Sequence, residues 1–263
     1  MNDIIAIKIG TSSLLHTNGS LNLRKIEKVI KVISDLQNGG KKVVFISSGA
    51  IAAGCAKLGL DVRPADTPAR QATAAVGQCE LMQIYDRLFG FYNHTVAQVL
   101  LTKDVIEDET RKQNVVNTFK QLLKFNVIPI VNENDTVSID ELEGANFGDN
   151  DTLSAIVAIV SGAKRLIILS DIDGLYDSDP RTNSNAALIE TVPEITSEIK
   201  NLAGGVGSSF GTGGMATKVK AAEITASAGI YMHIINGDKP EKIYDLLEGK
   251  PVGTVFLPNV NNA

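Results

Sequence analysis

The sequence predicts an α/β protein with a mostly parallel sheet covered by helices on both faces. Short runs rich in Ile and Val alternate along the chain with longer stretches of helical period, the pattern that such a sheet leaves in a sequence. The best-defined helical stretch, Leu23 to Leu36, places apolar side chains at Leu23, Ile26, Val29, Ile30, Ile33 and Leu36 and stops at Asn38-Gly39-Gly40, where glycine takes the left-handed cap. With 263 residues, 44% of them hydrophobic, the chain has enough apolar surface for one large core.

In chain order the strands are expected at Ile4 to Ile9, Lys42 to Ser47, Val96 to Leu101, Val127 to Val131, Arg165 to Leu169 and Tyr231 to Ile235. Besides Leu23 to Leu36, helices are expected at Thr67 to Phe89, Lys112 to Phe125, Thr152 to Ser161, Met215 to Ala228 and Pro240 to Leu247. Two stretches break the rhythm. Thr136 to Phe147 suits a hairpin, and Gly204 to Gly214 is dominated by glycine. With no internal repeat and no Pro- or Ser-rich linker, residues 1–263 are expected to form a single domain.

Composition excludes several function classes. A net charge of -5 and a pI of about 5.3 give no global basic field for nucleic acid or anionic lipid. Cys55 and Cys79, with His16, His94 and His233 scattered, form neither a disulfide framework nor a metal-ligand spacing. No apolar run reaches the ~18 residues of a membrane span, and the N-terminus has no leader-like pattern. A cytoplasmic location, with no nucleic-acid or membrane partner, is the expectation.

The residues that carry chemistry fall at strand ends. Gly211-Thr212-Gly213-Gly214-Met215-Ala216-Thr217-Lys218 opens a helical pattern. Glycines let backbone N–H groups approach a phosphate, a helix N-terminus adds a positive dipole end, and an early lysine adds a full charge. The pattern is neither the Walker nor the dinucleotide motif, and the same residues also suit a surface loop before a capped helix. Lys8 sits in Ile4-Ile5-Ala6-Ile7-Lys8-Ile9-Gly10. In a central strand it would need a partner and would face the crevice where open α/β sheets bind ligands; on an edge strand it would point to water.

Ser47-Ser48-Gly49-Ala50 follows the second strand, either as an anion-binding turn or as an ordinary serine cap. Asn132-Glu133-Asn134-Asp135 follows the strand ending at Val131, and Gly148-Asp149-Asn150-Asp151 precedes the helix at Thr152. Each cluster alone reads as turn chemistry; together they offer the mixed donors and acceptors that a zwitterionic amino acid requires. Ser170-Asp171-Ile172-Asp173-Gly174-Leu175-Tyr176, ending in Asp179-Pro180-Arg181, closes the set at another strand end.

Taken together these motifs resemble the amino acid kinase family over nearly the whole chain. Lys8 with Gly10, the Asp171 to Arg181 segment and the loop ending at Lys218 carry the family-wide likeness. Ser47 to Gly54, Val131 to Asp135 and Phe147 to Asp151 narrow it to the glutamate 5-kinase branch. The resemblance implies an αβα three-layer sandwich, with the amino acid held in the N-terminal half and ATP in the C-terminal half. It implies ATP and magnesium as cosubstrates, L-glutamate as phosphoryl acceptor, and a place at the head of proline synthesis.

By the same resemblance, Lys8 and Lys218 neutralise the transferring phosphoryl group and Asp151 holds the two lysines. Ser48, Gly49, Asn134, Asp135, Asp149 and Asn150 grip the amino acid, Asp135 through its α-ammonium. Ser170, Asp171, Thr212, Gly213, Gly214, Met215, Ala216, Thr217 and Lys218 line the ATP site. Proline as a feedback inhibitor, a homo-oligomer and coupling to glutamyl phosphate reductase are further expectations. Many members carry an extra C-terminal PUA domain, which a chain ending at Ala263 is expected to lack. Two other readings use the same motifs: a sibling kinase acting on acetylglutamate, aspartate or uridylate, and a non-catalytic amino-acid sensor, which would have no use for both lysines.

Overall fold

The computed structural model describes residues 3–137, 150–204 and 214–259. The first half of the chain runs β1 (Ile4–Ile9), α1 (Thr11–Leu14), α2 (Leu23–Asn38), β2 (Lys42–Ile46), α3 (Ala50–Leu58), α4 (Thr67–Gly90), β3 (Val96–Leu101), a 3-10 turn (Lys103–Ile106), α5 (Glu109–Lys124) and β4 (Ile128–Glu133). The second half runs α6 (Asn150–Ser161), β5 (Arg165–Ser170), β6 (Thr191–Val192), α7 (Ser197–Ala203), α8 (Met215–Ser227), β7 (Tyr231–Asn236), α9 (Lys242–Leu247) and β8 (Thr254–Phe256). Most of the expected hairpin at Thr136 to Phe147 and most of the glycine-rich stretch lie outside the described residues.

Among the described residues the strands form one eight-stranded sheet in the order β3-β4-β2-β1-β5-β7-β8-β6. Every pairing is parallel except β7 with β8. β1 is central, with Lys8 opposite Ile46 of β2 on one side and Ile168 of β5 on the other. From β1 the chain moves outward through β2, and β5 starts the opposite direction. The order therefore reverses between β1 and β5, and a crevice opens there at the carboxyl ends of the strands.

Side-chain alternation splits the core into two layers. Ile5, Ile7 and Ile9 of β1 join Val43, Phe45, Ile167 and Leu169 under α2, α3, α4 and α9, and all seven are at most 1% exposed. Ala6 joins Val44, Ile46, Leu166 and Ile168 under α5, α6 and α8. Burying one such Ile or Val side chain contributes about 1.5–3 kcal/mol, so this double-sided sheet is the main source of stability. Lys8 follows Ala6 in the alternation and so falls on the α6 and α8 side, where a charged partner is available.

Several boundaries differ from expectation for identifiable reasons. β4 continues two residues past Val131, because Asn132 and Glu133 pair in register with Leu100 and Leu101 of β3, and their buried side chains find partners. α6 starts at Asn150, so Asn150 and Asp151 form its first turn rather than a preceding loop. α5 starts at Glu109, where the Asp108 side chain accepts from the Arg111 N–H at 2.8 Å. The α3–α4 contact is unusually close. A Cβ on Gly54 would overlap the Thr73 carbonyl, and one on Gly77 would overlap the Ala50 carbonyl.

Candidate active site

The floor of the crevice is one carboxylate held between two ammonium groups. Lys8 Nζ from β1 donates to Asp151 Oδ1 at 2.6 Å, and Lys218 Nζ from α8 donates to Asp151 Oδ2 at 3.0 Å. Lys8 is 3% exposed, Asp151 0% and Lys218 6%, so Lys8 occupies a central strand and has the partner that burial demands. Thr217 Oγ1 lies 3.1 Å from Asp151 Oδ2 and 2.7 Å from the Gly214 carbonyl, its single hydrogen serving one or the other. The first-turn N–H groups of α8 have no acceptor within the helix. Three elements thus bring two positive side chains and a positive helix end to one place, an arrangement suited to phosphate oxygens.

Beside this floor lies a polar shelf. Asn150 Nδ2 approaches the Ser47 carbonyl and Asn132 Oδ1, each at 2.9 Å, and Ser48 Oγ at 3.3 Å. Thr11 donates to Ser48 Oγ at 3.2 Å. Gly49 caps α3 with φ +81, a left-handed conformation that favours glycine. Beneath the shelf Ser47 Oγ meets the Tyr85 hydroxyl at 2.8 Å. Burial pushes that phenol well above its ordinary value, against the lowering effect of the Ser47 hydrogen bond.

Floor and shelf bound a cleft of about 510 Å³. Of the residues expected to act, Lys8, Ser48, Gly49, Asp135, Asn150, Ser170, Asp171 and Lys218 line it. Asp151 lies beneath it, and Gly214, Met215, Ala216 and Thr217 open α8 next to Lys218. Asn134 does not line the cleft; its side-chain oxygen accepts from Thr136 at 2.6 Å, while Asn132 of the same cluster does line it. Asp149, Thr212 and Gly213 lie outside the described residues. The Asp179–Arg181 pair forms an exposed fork on the surface, where the guanidinium holds the carboxyl below its usual range.

Asn132, Thr11 and Gln78 are additions to the residues expected to hold the ligands. Asn132 belongs to one of the acid-and-amide clusters, but a strand expected to end at Val131 leaves its side chain in a turn rather than inside the site. Gln78 accepts from Asn132 Nδ2 at 2.8 Å and carries no motif signal, being one polar residue in a 24-residue helix. Among the described residues, no group of three or more His, Cys, Asp and Glu side chains could hold a metal. No helix among them is long and apolar enough to cross a membrane.

Known proteins match this chain over nearly its whole length. The amino acid kinase family profile matches residues 3–236. Glutamate 5-kinase of Clostridium perfringens is 56% identical, the match covering 96% of this chain and 94% of that protein. Those of Enterococcus faecalis and Listeria innocua are 52% and 53% identical, again over 96% of this chain and over 94% and 92% of their own lengths. Among solved structures, carbamate kinase from Giardia lamblia bound to AMP-PNP superposes with a TM-score of 0.67 at 18% identity, over 98% of this chain and 99% of that one. UMP kinase from Ureaplasma parvum gives 0.62 at 18% identity, with the same coverage of both chains. These two share the fold, a three-layer sandwich around a mostly parallel sheet. The chain belongs to the amino acid kinase family.

Proposed function

We propose that this chain transfers the γ-phosphoryl group of ATP to the side-chain carboxylate of L-glutamate, giving L-glutamyl 5-phosphate, the entry reaction of proline synthesis. The observation that carries the reading is the Lys8–Asp151–Lys218 assembly at the floor of a cleft, in a chain more than half identical to a glutamate 5-kinase along 96% of its length.

The chemistry follows from the groups present. The side-chain carboxyl of glutamate ordinarily titrates at about 4.3, so at neutral pH the nucleophile is already ionised and needs no general base. One carboxylate oxygen attacks the γ-phosphorus, the bond to the β–γ bridging oxygen breaks, and ADP departs with that electron pair. The protein's task is alignment and neutralisation of charge on the transferring oxygens. Lys8 and Lys218 supply that charge from fixed positions, because Asp151 holds both and removes the need to reorganise during transfer. Magnesium carried on the nucleotide would supply further charge on the phosphate oxygens.

The N-terminal half holds the amino acid and the C-terminal half the nucleotide. Ser48, Gly49, Asn150 and Asp135 contact glutamate, Asp135 through the α-ammonium; Ser170, Asp171 and the start of α8 border ATP. The deciding experiment is an ADP-release assay across a panel of amino acids, with hydroxylamine present to trap an acyl phosphate as the hydroxamate. Glutamate should give hydroxamate, with aspartate, glutamine and N-acetylglutamate far behind. Acetylglutamate outperforming glutamate would overturn the assignment.

A further inference from the structure

We propose that Gln78, near the middle of α4, is a positioning residue for substrate recognition: by accepting from Asn132 it completes and holds an arrangement, oriented by the backbone, in which Asn150 offers an oxygen, and not its NH2 group, to the ligand. This rests on the glutamate reading above and adds to it how the α-ammonium is told from a hydrogen. Gln78 does not itself line the cleft.

An amide side chain can be turned either way, and two fixed backbone groups decide the matter here. The Glu133 N–H can only donate, and it meets Asn132 Oδ1 at 2.9 Å; the Ser47 carbonyl can only accept, and it meets Asn150 Nδ2 at 2.9 Å. With both amides set by the backbone, Asn132 Oδ1 faces Asn150 Nδ2 at 2.9 Å as acceptor and donor. The Asn132 NH2 group is then turned toward α4, where Gln78 Oε1 takes its hydrogen bond at 2.8 Å. Asn132 is 1% exposed and Gln78 9%, so without that oxygen an NH2 group would be buried with its acceptor gone.

Asn150 Nδ2 has two hydrogens and three acceptors around it, namely the Ser47 carbonyl, Asn132 Oδ1 and Ser48 Oγ. Its NH2 group is therefore occupied, and Oδ1 is the polar atom it has left for the cleft it lines. An oxygen there attracts an ammonium and disfavours a carboxylate. The close α3–α4 contact at Gly77 sets the neighbouring Gln78 at the right depth. Gln78 thus acts on the ligand through Asn132 and Asn150, two side chains away.

The test compares Gln78→Met and Gln78→Ala, which remove the oxygen, with Gln78→Glu, which keeps one facing Asn132. Each is assayed for glutamate turnover and for competitive inhibition by glutarate, which is glutamate without its amino group. The oxygen-free variants should raise the glutamate KM roughly tenfold or more, with kcat, the ATP KM and the glutarate inhibition constant within about twofold, and Gln78→Glu should restore the glutamate KM. Glutamate and glutarate weakening in parallel, or Gln78→Glu behaving like Gln78→Met, would overturn the proposal. A second measurement needs no substrate: hydrogen exchange of the Asn150 side-chain NH2 in the ligand-free protein should speed up roughly tenfold in Gln78→Met, and unchanged protection would also overturn it. A wild-type chain that fails to turn over glutamate would instead sink the substrate assignment, with the exchange rates still deciding whether Gln78 holds the amides.

Discussion

Lys8 and Lys218 are two lysines at most 6% exposed that share one fully buried carboxylate, and such burial has to be repaid by what the charges do. Lys8→Ala or Lys218→Ala should lower kcat by roughly 10² to 10³, as removal of a preorganised donor does, while the glutamate KM changes little. Steady-state kinetics at saturating ATP check this, and a near-normal kcat would return that lysine to a structural role. His233 on the far side of the sheet behaves differently. Burial first, and the Arg165 guanidinium 3.3 Å from its Nε2 second, lower its pKa to about 4 from an ordinary 6.5. The folded chain keeps the ring neutral while the unfolded chain takes up a proton. The associated stability is therefore complete above pH 6.5 and is lost as pH falls toward 4, about 3 kcal/mol in all. Unfolding free energies of wild type and His233→Gln from urea titrations should converge by about that amount between pH 7 and pH 4.

At the scale of elements, α3 and α4 pack through Gly54 and Gly77, each of which would put a Cβ into a carbonyl of the other helix. Gly77→Ala should cost about 1–3 kcal/mol or more by forcing the helices apart, read as a lower urea midpoint, and the glutamate KM should rise because Ser48 and Gly49 lead directly into α3 and Gln78 sits on α4. How far the elements are legible in the sequence follows from what leaves a pattern. The strands from β1 to β5, and β7, announce themselves as Ile- and Val-rich runs, and α2 as a full apolar stripe. β6 and β8, of two and three residues, and α7, of seven, are too short for any periodicity to register. The site is legible where a charged or glycine-rich residue stands out against its surroundings, as Lys8 does among isoleucines. It is illegible at Asn132, where a polar strand end looks like a turn, and at Gln78, whose partner is 54 residues away.

At the scale of the whole molecule, the cleft joins groups from both ends of the chain, and ligands that share chemistry should share it. Proline carries the same α-carboxylate and α-ammonium as glutamate, so it should inhibit by occupying the shelf around Ser48, Asp135 and Asn150. Initial rates at several proline concentrations should show inhibition fully relieved by glutamate, and Asp135→Ala should weaken both ligands. Inhibition that glutamate cannot relieve would place proline elsewhere. The position of β8 bears on how this molecule comes to be made. β8 lies inside the sheet between β7 and β6, and among the described residues β6 pairs with no strand but β8. Thr254 Oγ1 accepts from the Leu175 N–H at 2.8 Å and donates to the Ile189 carbonyl at 2.7 Å. The segment just beyond Asp171 is thus pinned by a residue synthesised 79 positions later, on the order of several seconds at ordinary ribosomal speed. A nascent chain arrested with residues 1–250 emerged should be cut by added protease between Asp171 and Val192, where the finished chain resists. The side of the cleft lined by Ser170 and Asp171 is then the last part of the molecule to exist, and a ribosome that stalls late leaves a chain with its lysines in place and one wall of the cleft still unbuilt.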